Sequence, residues 1–133
     1  MPHARLIRIA VAAVTGIVAA LAAAAPALAA SGDTTPPTAP YLIYYEGYHC
    51  GQLIVGMMSS TDNLTPQSQL RYEVFVDGTP IGPAPNMSDG QVWAWFQNDV
   101  LRPGSHTVTV KAEDAAGNWS APSNAGVVTG YAC

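Results

Sequence analysis

The chain has 133 residues, 49% of them hydrophobic, and carries five Lys or Arg against nine Asp or Glu for a net charge of −4. So few cations can neutralise few phosphates, which excludes nucleic acid and anionic membrane surfaces as natural partners. The length is that of one modest domain.

The first residues, MPHARLIRI, carry Arg5 and Arg8. An Ala/Val/Ile-rich run follows from Ile9 to about Ala25, and PALAA then places Ala27 and Ala29 around an A-x-A site. This is the layout of a secretory signal peptide and predicts cleavage after Ala29 or Ala30. A retained anchor is the alternative, because the run is almost long enough to span a bilayer. The expected organisation is a signal peptide over 1–29, a proline-rich linker over 30–40 and one domain over 41–133, extracellular and free of the membrane once the signal is removed. All nine acidic residues lie beyond residue 30, but only Arg71, Arg102 and Lys111 remain as cations there, so the exported chain carries −6.

Short β-rich segments follow in order. They are YLIYYE (41–46), QLIVGMMSS (52–60), LRYEVFV (70–76), QVWAWF (91–96), HTVTVKAED (106–114) and AGVVTGY (125–131). Asp77-Gly78, leading to Ile81, is a hairpin signal. The sequence shows no helical periodicity and no internal repeat. Short strands at regular spacing with turns between them predict an all-β sandwich. In QVWAWF, Trp93 and Trp95 stand two positions apart, so a strand would turn both rings to the same side.

The run RPGSHTVTVKAEDAAGNWSAPSN (102–124) resembles the last two strands of a bacterial fibronectin type III domain. The resemblance extends to DTTPPTAP, to SSTDN (59–63) and to YEVFVDGTPIG (72–82). It implies an antiparallel seven-stranded immunoglobulin-like β-sandwich of fibronectin type III topology and is silent about activity. Two positions depart from the family. The tryptophan usual on its second strand is replaced by Met57, and the tyrosine usual near the start of its sixth strand by His106.

Alternation puts His106, Val108, Val110 and Ala112 on one side of their strand, and Tyr72, Val74 and Val76 inward on theirs. Family spacing turns Leu53, Val55 and Met57 inward. Leu101 resembles the family's core leucine before the sixth strand; counting back from it sends Phe96, Ala94 and Val92 inward and Trp93 and Trp95 outward. The first strand is expected to face in with Ile43 and Tyr45, leaving Leu42 and Tyr44 outside. The outer face of one sheet would then carry Leu42, Tyr44, Ile54, Met58, Trp93 and Trp95, an apolar patch of the kind that marks a contact surface. Three readings of the tryptophans stand open: core residues if the register slips by one, an aromatic platform for sugar rings, or a protein contact.

Cys50 and Cys133 are the two cysteines, and export favours oxidation. In the implied topology the turn after the first strand and the end of the last strand share one pole, so a Cys50–Cys133 disulfide is expected. The opposite pole would gather Asp33, Asp62, Asn63, Asp89, Asp114 and Asn118. Hard cations want such oxygens, but Asp and Asn are also ordinary turn residues, and no metal or cofactor is assigned. No catalytic motif occurs, and the consecutive Glu113 and Asp114 would face opposite sides of a strand, so no enzyme activity is expected. By resemblance, the expected role is that of a secreted accessory module. It would be associated with extracellular polysaccharide or cell-surface protein, linked to polysaccharide degradation, and would bind through Trp93, Trp95, Tyr44 and Met58. The alternative is a spacer or protein-contact module using the same Trp93/Trp95 face.

Overall fold

The computed structural model describes residues 32–84, 90–97 and 99–133. The expected signal peptide, the first two linker residues and Asp89 lie outside the described residues. The strands are β1 (Tyr41–Tyr48), β2 (Gln52–Met58), β3 (Arg71–Val76), β4 (Thr79–Ala84), β5 (Gln91–Phe96), β6 (Gly104–Glu113) and β7 (Gly126–Gly130). They form two antiparallel sheets, ordered β1-β2-β5 and β4-β3-β6-β7. The expected seven-stranded all-β sandwich is the observed one.

The period of two places the core. Leu53, Val55 and Met57 of β2 and Val92 and Ala94 of β5 face Tyr72, Val74 and Val76 of β3 and Val108, Val110 and Ala112 of β6, all buried. Each fully buried aliphatic side chain stabilises by about 1.5–3 kcal/mol, so the alternating pattern, once written into the sequence, strongly resists a slip of register. Between β3 and β4 the chain reverses through Asp77 and Gly78, whose φ values of 49° and 79° are the two positive values that a two-residue hairpin of primed type requires.

β1 departs from the sequence reading. Leu42 is buried at 2% exposure, whereas Ile43 is 41% exposed. The cause is a β-bulge: Leu42 pairs with Met57 and Tyr44 with Gly56, leaving Ile43 without a partner. The extra residue shifts the alternation by one, so Leu42 faces in before the bulge, and after it Tyr45 lies on the inward side at the sheet's edge, still 38% exposed. Tyr45 lies against Gly126 of β7, where a Cβ would come within 2.7 Å of its ring. The proline-rich segment also differs from a free linker. Thr38 N–H donates to Thr61 O at 2.9 Å, Thr61 N–H returns a bond to Thr38 Oγ1 at 2.8 Å, and Pro37 and Pro40 are buried. Extended prolines lack donors but leave their neighbours free to bond sideways, which docks the segment along the loop after β2.

One pole is closed by the turn His49–Gly51. Gly51 N–H donates to Tyr131 O at 3.0 Å, and Gly51 O accepts from Val100 N–H at 3.1 Å and Leu101 N–H at 2.9 Å. Gly51 is buried with φ 68°, and a Cβ there would run into the Leu101 carbonyl, so only glycine fits. Cys50 and Cys133 form the expected disulfide across this pole, 83 residues apart in sequence. Leu101, 2% exposed, fills the core beneath.

At the same pole His106 takes over the work of the missing tyrosine. Its Nε2 bonds back to Arg102 O at 2.8 Å and its Nδ1 meets Asp77 Oδ2 at 2.6 Å. A tyrosine corner makes such a bond to backbone a few residues upstream. Both ring nitrogens face acceptors, so the imidazolium suits the site better than either neutral tautomer. The Asp77 bond holds the His106 pKa above its ordinary 6.5. The Thr107 N–H, followed by His106, holds Asp77 below its ordinary 3.8.

Two outcomes are expected. Cys133→Ser should unfold at lower urea concentration, with a loss of about 2–5 kcal/mol from release of so long a loop, while parent protein runs as a monomer with or without thiol. The His106 contribution is fully present below its unfolded pKa near 6.5 and is lost as pH rises through the raised folded value. The Asp77 contribution is lost only as pH falls below 3.8. The urea midpoint of the parent should therefore decline as pH rises from the ordinary histidine range through the raised folded value, and His106→Gln should flatten that decline.

Candidate functional site: the aromatic face

The outer face of the β1-β2-β5 sheet is assembled by register. Across the three strands run the rows Tyr41–Met58–Gln91, Tyr44–Gly56–Trp93 and Glu46–Ile54–Trp95, and Tyr48–Gln52 ends the face. Neighbouring positions in a row lie about 5 Å apart. The inward set of β2 and β5 consumes the alternate residues, so Trp93 and Trp95 can only turn outward. Trp93 is 37% and Trp95 62% exposed. The register-slip reading of the tryptophans is thereby overturned, because Leu53, Val55 and Met57 occupy the interior completely.

Trp93 is held, not loose. Its six-membered ring lies over Gly56, where a Cβ would come within 2.6 Å of it. Tyr44 stands on the other side of that glycine with ring centroids 5.7 Å apart and planes tilted by 44°, within the range of favourable aromatic pairs. The indole N–H donates to Gln91 Oε1 at 3.4 Å. Glycine in mid-strand normally weakens a sheet, and the covering ring restores the missing contact.

Beside the rings lies a polar strip. The Tyr44 hydroxyl donates to Glu46 Oε2, the Tyr48 hydroxyl donates to the same oxygen at 2.6 Å, and the two hydroxyls are 3.2 Å apart. The Tyr44 and Tyr48 bonds hold the Glu46 carboxyl below its ordinary range, so it stays an anionic acceptor. Met58, 43% exposed, completes the apolar edge.

All four residues expected to bind therefore share this face: Trp93, Trp95, Tyr44 and Met58. Leu42 does not join them, for the bulge turns it inward. The sequence reading missed Tyr41, Glu46 and Tyr48, which do. Their signal was present in the i, i+2, i+4 spacing of Tyr44, Glu46 and Tyr48, which extends the strand two residues beyond its expected end. The face is open, whereas a groove of about 500 Å3 lined by Phe75, Asp77, Thr107, Thr109, Lys111 and Pro122 opens on the other sheet.

No family model and no curated protein matches the chain. Solved structures do. The chain is similar to the fibronectin(III)-like modules of CbhA from Clostridium thermocellum, at 20% identity and a TM-score of 0.54, covering 73% of this chain and 47% of that one. A PKD domain of a peptidase from a Thermoplasmatales archaeon is matched at 20% identity and TM-score 0.52, covering 73% of this chain and 97% of that one. The fold is the immunoglobulin-like β-sandwich that fibronectin(III)-like modules and PKD domains share. A third similar structure, the spore cortex lytic enzyme SleM of Clostridium perfringens, is matched at 17% identity and TM-score 0.52 over 71% of this chain. The chain spans only 29% of SleM and 47% of the CbhA chain.

Gly56→Ala tests the seating of Trp93 on this sandwich. The new methyl must lift the ring, but alanine is favoured over glycine within a strand by about 0.5–1 kcal/mol, which offsets much of the strain. Stability should stay within about 1 kcal/mol of the parent by urea titration, while acrylamide quenching of tryptophan rises and the near-ultraviolet dichroism of the Tyr44–Trp93 pair weakens.

Proposed function

We propose that the chain is an exported, non-catalytic accessory module that holds extracellular polysaccharide on the outer face of its β1-β2-β5 sheet. The observation that carries this reading is the pair of outward indoles, one seated over Gly56 beside Tyr44 and the other more than half exposed, next to hydrogen-bonding Glu46, Tyr48 and Gln91. A sugar ring offers an apolar C–H face and an equatorial rim of hydroxyls. Flat indoles suit the first, and an anionic acceptor with phenol hydroxyls suits the second. Rigid aromatics also lose little conformational entropy on binding. A glycosidase would need a second carboxylate about 5–10 Å from the first, and among the described residues the face carries Glu46 alone. Export is supported by the layout of residues 1–29 and by the disulfide, which belongs to oxidising compartments.

The competing reading is a protein contact through the same patch. β5 is an edge strand of its sheet, and an edge flanked by Met58 and two indoles is a surface that another chain could cover.

Retention on insoluble cellulose, chitin and peptidoglycan, with sedimentation equilibrium in parallel, separates the two. Binding to at least one polymer is expected. Trp93→Ala and Trp95→Ala should each cost about 1–2 kcal/mol of affinity, with the melting temperature unchanged in Trp95→Ala and lowered in Trp93→Ala, which uncovers Gly56. Retention on none of the polymers, or retention indifferent to the double variant, sinks the polysaccharide reading. A mass that doubles with concentration and reverts in the variant favours the contact.

A further inference from the structure

At the pole opposite the disulfide, the structure gathers three carboxylates that the aromatic face does not use. Asp33 comes from the segment before β1, Asp62 from the loop after β2, and Asp114 from the turn after β6. One oxygen of each lies within 4.8 Å of those of the other two. Three oxygens so spaced fit one coordination sphere with a radius of about 2.4 Å. Local hydrogen bonds account for only part of their capacity. Asp114, 0% exposed, accepts from Ala116 N–H and Asn118 N–H on Oδ1 and from Asn118 Nδ2 on Oδ2. Asp62 Oδ2 accepts from Leu64 N–H and Thr65 N–H.

Asp33 is different. It is 9% exposed, its Oδ1 accepts from Thr35 N–H at 3.0 Å, and its Oδ2 is buried with no hydrogen-bond partner. A buried carboxylate oxygen left unpaired beside two further carboxylates is a costly arrangement unless a cation joins it. No side-chain cation does so: among the described residues the ion pairs are Arg71–Glu113 and His106–Asp77. The Asn63 amide lies against the same cluster, its nitrogen within 3.2 Å of both Asp62 oxygens, and leaves Asp33 Oδ2 unpaired.

We propose that Asp33, Asp62 and Asp114 form a calcium site that clamps the segment before β1 to the two loops of this pole. Calcium suits the place because its ligands come from three separate loops, whose flexible geometry it tolerates and magnesium does not. The site is independent of what the aromatic face binds.

The test uses purified protein, stripped with EDTA and then given millimolar calcium or magnesium chloride. Calcium at about 100 times its dissociation constant should raise the melting temperature by at least 5 °C, magnesium by much less. Asp33→Asn keeps an acceptor for Thr35 N–H but removes the orphaned charge. It should match or exceed the parent's melting temperature in EDTA and lose the calcium response, which a merely structural Asp33 would not do. Terbium, excited through Trp119 beside Asn118, should luminesce on the parent and be displaced by calcium. An unmoved melting temperature in calcium, an equal response to magnesium, or a full calcium response in Asp33→Asn would each overturn the site.

Discussion

The register of β2 between β1 and β5 is the constraint on which the functional reading depends. β2 is apolar on both faces, so its own sequence does not say which side is the core. The decision comes from its neighbours. Leu53, Val55 and Met57 fill the interior opposite Phe96, Ala94 and Val92, and a one-residue slip would expose three fully buried side chains at about 1.5–3 kcal/mol each while turning Gly56 and its void inward. No gain from burying two indoles compensates, because the space between the sheets is already filled by β3 and β6. Once that register is set, Tyr44, Glu46, Tyr48, Trp93 and Trp95 are placed on the outside without further choice.

Much of this was legible in the chain. Strands with one wet face, such as β3 and β6, announce their orientation by alternation, and Phe96 and Leu101 together set the direction of β5. The Cys50–Cys133 pairing followed from expected export, an even cysteine count and the topology that the resemblance implied. What could not be read was set by contacts distant in sequence. The bulge at Ile43 leaves no mark in YLIYYE, because every residue there suits a strand on either face; it is imposed by Leu42 seeking Met57 and by the Asn124 side chain, whose Oδ1 accepts from Leu42 N–H and whose Nδ2 donates to Leu42 O. The docking of the proline-rich segment was hidden for a similar reason. Prolines foretell an extended chain but not what it lies against, and the two threonines that bond it are 23 residues apart. The acidic pole was visible as a set of turn residues, but only the fold brings three of them within reach of one another.

The two poles close the sandwich by different means. At one, a buried glycine with a positive φ lets the turn before β2 accept from the connection after β5 and donate to the C-terminal segment, and the disulfide fixes the turn to that segment covalently. At the other, serine hydroxyls stand in for ladder partners: Ser120 Oγ accepts from Ala112 N–H and Ser123 Oγ from Val110 N–H, while Asp114 organises the turn between. The first pole is held by a covalent bond as well as by the His106–Asp77 pair, and the second by hydrogen bonds around carboxylates. A module so made keeps its C-terminal end stapled whatever the medium, and leaves the end that receives the preceding chain open to adjustment by the medium.

The same asymmetry bears on why an exposed aromatic face can be tolerated at all. An apolar patch on an edge strand invites aggregation, and this chain offsets that risk with net negative charge and with polar groups set among the rings. Glu46 sits in the row of Trp95, Gln91 in the row of Met58, and the Tyr44 hydroxyl ends in the carboxylate, not in an apolar contact. A surface meant for burial against a permanent partner would gain by shedding those groups, since obligate interfaces are depleted of charge at their centres. One that meets a hydrated polymer gains by keeping them, because each hydroxyl it desolvates must find an acceptor or donor in return. The mixture of seated indole, free indole and bonded carboxylate is what the proposed polysaccharide reading calls for, and a surface stripped of those polar groups is what the competing protein contact would call for.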